Sequence, residues 1–111
     1  MTVDEAFATM PARIKVGSVI YRIAVLDAVA IDNALACIDP DRETIEIMRE
    51  AASAAGLAAR LLHELFHAIW TDRQLGRRPN EEKVVSQFEA GTVALLRDNP
   101  NLLAWITRAL S

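Results

Sequence analysis

The sequence is short of several things at once. It has one cysteine, four glycines, four prolines, three phenylalanines, two tryptophans and one tyrosine. A lone thiol, Cys37, excludes an internal disulfide framework and cannot by itself make a cysteine-rich zinc site. In its short apolar run it is expected as a buried thiol. The low proline and glycine content excludes collagen-like and low-complexity chains. With few aromatics, the core must be built from Ala, Leu, Val and Ile. No apolar run approaches the roughly 18 residues that suggest a membrane span. The first ten residues carry Asp4 and Glu5 and lack the basic start and apolar stretch of a secretory signal. A basic excess is missing too, with a net charge of −3 and a pI near 5.3. Nucleic acid is therefore not the expected partner, because phosphate binding needs a concentrated basic surface. The densest basic stretch, with Arg73, Arg77 and Arg78, reads as a solvated loop. The expectation is a cytoplasmic protein without membrane or nucleic-acid partners, its oligomeric state left open.

What is present is globular. Hydrophobic residues make up 52% and charged residues 24% of 111 positions, which fits one domain with its own core. Residues 1–12 are expected to be a flexible N-terminal segment. Residues 14–26 are rich in Val and Ile, with Gly17-Ser18 as a turn between two strands. Tyr21, Ile23 and Val25 form the more apolar face and should meet the core. Residues 35–38 read as a third strand, Asp39-Pro40-Asp41 as a turn, and residues 44–48 as a fourth strand in which Ile45 and Ile47 alternate with Thr44, Glu46 and Met48. Four short strands joined by tight turns favour an antiparallel meander.

From residue 49 to about 71 the pattern becomes helical, dense in Ala and Leu and free of proline. Ala58, Leu62, Leu65, Phe66 and Ile69 are expected on its buried stripe. A polar loop follows. Asn80 is placed to cap a second helix, with Glu81 and Glu82 suited to its positive end. Val84, Val85, Phe88, Thr92, Leu95 and Leu96 ride on that helix. Asn99-Pro100-Asn101 stops it, and residues 102–110 form a last short helix. The expected class is α+β: a small, antiparallel-rich sheet of about four strands followed by helices.

The segment that carries chemistry is Leu62-His63-Glu64-Leu65-Phe66-His67. Residues four apart on a helix stand one turn above each other, so the chain's only two histidines project from one face. Two imidazoles so placed can converge on a single Zn²⁺. Glu64, displaced sideways, can act as general base on a water without being a ligand. A third ligand is expected from the second helix. Glu81 is favoured because it lies in line with that helix's apolar stripe, where a carboxylate is costly unless paired or metal-bound; Glu82 is the alternative. Three protein ligands would leave one zinc position open for water, as in catalytic rather than structural sites. Tyr21, Arg73, Arg77 and Arg78 have the chemistry of an oxyanion donor.

With these residues in place, the sequence resembles the small zincin-like metallopeptidase-domain proteins often encoded by phages and prophages, which are distantly similar to the ImmA/IrrE metallopeptidases. The resemblance spans residues 14–100. It rests on Lys15-Val16-Gly17 with Tyr21, on Thr44-Ile45, and on the His-Glu-Leu-Phe-His helix. It continues through Glu81-Glu82 before Val84-Val85, through Gly91, and to Leu95-Leu96-Arg97-Asp98-Asn99-Pro100. It implies a minimal zincin fold in which an edge strand aligns an extended peptide substrate. Thr44, Ile45 and Glu46 are the expected substrate-binding positions on that edge. The function expected is a zinc-dependent metallopeptidase acting on a peptide or protein. The alternative is a non-catalytic, zinc-stabilised adaptor that keeps the fold. A reading without metal is an interaction domain that dimerises through the Ala-rich helix face.

Overall fold

The computed structural model describes residues 1–27, 35–76 and 80–111. The elements run α1 (Val3–Thr9), β1 (Arg13–Val16), β2 (Val19–Leu26), β3 (Ala36–Asp39), β4 (Thr44–Met48), α2 (Ala54–Asp72), α3 (Glu81–Asp98) and α4 (Pro100–Leu110). The protein is α+β, as its change of periodicity after residue 48 predicts.

β1 and β2 form a hairpin closed by Gly17-Ser18, with Val16 opposite Val19. Gly17 has φ +61°, which a glycine in the first position of a two-residue hairpin turn adopts without strain. A side chain there would collide with the Asp72 carboxylate at the end of α2, so this turn is also where the sheet meets the helix. Tyr21 and Ile23 are buried and Ile20 is 55% exposed, as the alternation requires.

The sheet is not a meander. Its order is β1-β2-β4-β3, with β2 and β4 parallel and the other two pairs antiparallel. Parallel neighbours need a crossover of a dozen or more residues, and residues 27–43, which include β3, supply it. β4 is therefore an inner strand and β3 an edge among the described strands. Ile45 and Ile47 are wholly buried, as suits a strand flanked on both sides. The assignment of Thr44, Ile45 and Glu46 to a free edge is overturned: their strand is paired along both margins and cannot accept a peptide. Cys37, opposite Glu46, is half-buried, and its thiol donates to Glu46 Oε1 at 3.3 Å; it is not a core thiol.

α2 packs against β1, β3 and the other three helices. Ser53 caps it by accepting from Gly56 N–H. Its buried residues are Ala54, Leu57, Ala58, Leu61, Glu64, Leu65, Ala68 and Ile69. This stripe is rotated from the expected one: Leu62 is only partly buried and Phe66 is 44% exposed. Of the α2 alanines, Ala54, Ala58 and Ala68 are core, Ala55 is half-buried and Ala59 is exposed. Residues 1–12 are not a loose segment, since α1 begins on a Thr2–Glu5 capping pair and inserts Ala6 into the core. Trp105 of α4 donates from Nε1 to the Ala6 carbonyl.

The helix-stopping Asn99 has a second role. Buried at the junction of α3 and α4, it accepts from Lys15 N–H and donates to the carbonyls of Lys15 and Leu95. Those bonds tie the helical pair to β1.

Candidate metal centre

α2 positions the chemistry. His63 and His67 lie on its outer side, both exposed, because the buried stripe occupies the opposite side. Their Nε2 atoms are 3.3 Å apart, with the rings edge to face at a centroid separation of 4.9 Å. Two nitrogens each about 2.0–2.1 Å from a tetrahedral zinc lie about 3.3–3.4 Å apart, so the pair already has the bite of two ligands. A neutral tautomer pair can also share one N–H across the gap, and that bond fixes the same ring orientation.

Glu64 stands on the flank of the same helix. It is 7% exposed, not on the wet face where an amphipathic reading of the motif would put it. It makes no side-chain hydrogen bond or ion pair with any described residue. It lines a cavity of about 330 Å³ together with His63, His67 and Ala36, Cys37 and Ile38 of β3. The edge strand thus runs along the site. Met48 N–H bonds to the Leu35 carbonyl, and antiparallel pairs alternate between bonded and non-bonded. Ala36 and Ile38 therefore turn their own N–H and C=O groups away from β4.

Going round α2, the side chains follow in the order Glu64, His67, His63, Trp70, Phe66. The imidazoles hence stand between a carboxylate flank facing β3 and an aromatic flank facing α3. On the second flank His63, Phe66, His67, Trp70 and Phe88 line an open cleft of about 480 Å³. Phe66 meets Phe88 edge to face at 5.8 Å, and Trp70 lies 6.2 Å from Phe88. Gly91, one turn beyond Phe88, lets α3 come close to Ile69.

The remaining expected residues sit elsewhere. Asn80 caps α3 by accepting from Lys83 N–H at 2.7 Å. Glu81 and Glu82 in the first turn are both exposed. The argument that Glu81 would be buried on an apolar face fails, because Val85 in the next turn is 55% exposed and the buried part of α3 is Gly91 and Leu95. Glu82 accepts from the Ser86 hydroxyl at 3.4 Å, whereas Glu81 has no side-chain partner among the described residues. Neither glutamate lines a cavity with the histidines, and among the described residues no three His, Cys, Asp or Glu side chains are grouped to hold a metal ion. Thr44 and Glu46 line a separate cavity with Arg22 and Arg42, and Ile45 is core.

Of the four oxyanion candidates, Tyr21 is in the core, with its phenol pushed above the usual value by burial and then by the charges of Asp72 and Glu43. Arg73 lies beside Asp72 at 3.6 Å and close to Gly91. Arg77 and Arg78 fall outside the described residues. Among the described residues no helix is long and apolar enough to cross a membrane. No family model, curated protein or solved structure matches the chain.

Proposed function

We propose that this protein is a zinc-dependent metallopeptidase of zincin-like type, with His63 and His67 as metal ligands and Glu64 as general base. The observation that carries this reading is the 3.3 Å separation of the two Nε2 atoms, with the Glu64 carboxylate lining the same cavity. Bound zinc would supply Lewis-acid polarisation of a carbonyl and a nucleophile at neutral pH. Two imidazoles at a tetrahedral bite fit that ion, while no third protein ligand is grouped with them among the described residues. Glu81 would be that ligand, favoured over Glu82 because its carboxylate is not engaged by a described neighbour. Holding the ion would require the first turn of α3 to come toward α2.

Glu64 has the task of accepting the proton of the attacking water and delivering it to the leaving amine. The Glu64 side chain is largely buried, but its carboxylate opens into the cavity it shares with the imidazoles. A purely structural metal site has no need of a general base so placed, which favours catalysis over the adaptor reading. Ala36 and Ile38 line the cavity and turn their backbone groups away from β4, so they are suited to pair with an extended substrate. This role moves from β4, where the sequence pointed, to β3.

The test is hydrolysis of an unbiased peptide mixture by the zinc-loaded protein, read by mass spectrometry. Wild type is expected to cleave. Glu64→Gln, which keeps both imidazoles, is expected to retain zinc and lose at least about 100-fold in rate, the scale of general-base catalysis. Equal cleavage by wild type and Glu64→Gln would refute the role of Glu64.

A further inference from the structure

We propose that the sheet face turned away from the helices docks an acidic, carboxylate-bearing segment of a partner protein, held by Arg13, Arg22 and Arg42. The inference stands independently of the metal reading. The three arginines are far apart in the sequence and form no basic run; strand register brings them together. β1 and β2 bury Ile14, Val16, Tyr21 and Ile23 toward the helices. Alternation therefore turns Arg13, Lys15, Ile20 and Arg22 to the opposite face, where all four are exposed. No described element covers them.

Arg13 stands opposite Arg22 in the hairpin. The Ile23 N–H bonds to the Ala12 carbonyl, so the next pair, Arg13 with Arg22, is non-bonded, the kind in which facing side chains come closest. Like charges so placed destabilise a sheet. Neither guanidinium makes a hydrogen bond or ion pair with a described residue that would offset this. Arg42 joins them: with Arg13, Ile20, Arg22 and Glu43 it lines an open cleft of about 330 Å³. Its contact with Asp39 is loose, 3.8 Å from a side chain that is 84% exposed, and such surface pairs contribute little. Three cations thus share the cleft with one carboxylate, in a protein of net charge −3. The fold has no use for that local excess.

Charge complementarity decides the occupant. A guanidinium fork matches a carboxylate or a phosphate bidentately. A row of phosphates fits poorly here, because Glu43, and Asp39 and Glu46 in the adjoining cleft, would repel it. Ile20, 55% exposed among the arginines, can be covered by an apolar side chain but not by a phosphate backbone. An acidic peptide carrying an apolar side chain beside its carboxylates meets both conditions. Arg22 and Arg42 also line the adjoining cleft of about 260 Å³, with Ile38 and Pro40, so a segment several residues long can lie across the strands. A second copy presenting Glu81 and Glu82 is the weaker occupant: two small clefts offer far less than the roughly 800 Å² per partner that a stable dimer buries.

The test uses the full-length protein and a fluorescein-labelled peptide, Gly-Asp-Glu-Leu-Glu-Asp-Ala, with binding read by fluorescence anisotropy at physiological ionic strength. The comparison probes are its amide counterpart, Gly-Asn-Gln-Leu-Gln-Asn-Ala, and a single-stranded oligonucleotide of the same net charge as the acidic peptide. Wild type is expected to bind the acidic peptide at least about 10-fold more tightly than either, the scale of one charge-assisted hydrogen bond. Arg13→Gln and Arg22→Gln are each expected to weaken that binding about 10-fold, for the same reason. Their urea midpoints should stay unchanged or rise, because the like-charge pair is relieved. Arg108→Gln, on α4, is expected to bind as wild type does. No binding of the acidic peptide, equal binding of its amide counterpart, or unaltered affinity in both variants overturns the proposal. Three further results would also overturn it. Lowered midpoints in Arg13→Gln and Arg22→Gln would assign the arginines to the fold. Tighter binding of the oligonucleotide would assign the face to nucleic acid, and a concentration-dependent dimer lost in Arg22→Gln would assign it to a second copy.

Discussion

At the scale of single residues, the side chains with the most to say are polar groups that the core has taken in. Asn99 is buried because each of its amide atoms has a backbone partner, which makes its burial inexpensive. Glu64 is largely buried with no side-chain partner among the described residues, and its carboxylate opens into the cavity along β3. Tyr21 is a third case. Its phenol is pushed up by burial first, then by Asp72 and Glu43, so the folded protein holds that proton more tightly than the unfolded chain. The stability this contributes is fully present below the ordinary tyrosine value of about 10 and is lost as pH rises through the higher folded value. Urea midpoints measured between pH 8 and 11 should therefore fall at the alkaline end, and Tyr21→Phe should flatten that decline. An equally steep decline in Tyr21→Phe would assign the effect to other groups. None of these three environments follows from residue identity alone: Asn99 was legible as a helix stop, but its bonds to Lys15 depend on which strand lies beneath it.

One helix boundary was legible for a local reason: Asn80 caps α3 where its side-chain oxygen can reach a free N–H. The others lie elsewhere than expected, since α2 begins at its Ser53 cap rather than near residue 49, and Pro100, expected only as a stop, opens α4 where its missing N–H does no harm. The capping pair of Thr2 and Glu5 carries the same signal for α1. Seven residues of helix leave too little periodicity for that signal to stand out in the sequence. Strand order was not legible. Hydrophobic alternation fixes which face of β4 is buried and is silent on which strands flank it. The stripe of α2 was displaced for a related reason, since Phe66 reads as core by hydrophobicity while its neighbours decide that it faces α3. That crossing depends on Gly91. Replacing a helical glycine by alanine ordinarily stabilises by about 1 kcal/mol. Here an added Cβ would lie 2.7 Å from Ile69 Cγ2, a methyl on a stiff, fully buried side chain. Overpacking of this kind costs about 1–3 kcal/mol. Gly91→Ala is thus expected to lower the denaturation midpoint, by about 1 kcal/mol net. A raised midpoint would mean that α3 is free to step away from α2.

On the scale of the whole molecule, one sheet face, one long helix and two flanking cavities are arranged around a pair of imidazoles. The spacing of His63 and His67 was readable because a helix repeats locally, and four positions bring two side chains together whatever the rest of the chain does. A third ligand is a long-range matter: it depends on how α3 approaches α2, and the exposed Glu81 and Glu82 show how little a first-turn position says about that. The same holds for the sheet's edge, which lies at β3 rather than β4 among the described strands because of the crossover. All of the proposed chemistry requires that the imidazole pair bind metal. The direct measurement is zinc content after equilibrium dialysis of the full-length chain against micromolar zinc, with wild type, His67→Ala and Glu64→Gln side by side. About one zinc per chain in wild type and Glu64→Gln, and none in His67→Ala, is the predicted result. A wild-type chain that stays metal-free, or a His67→Ala chain that binds as much zinc as wild type, would contradict the account.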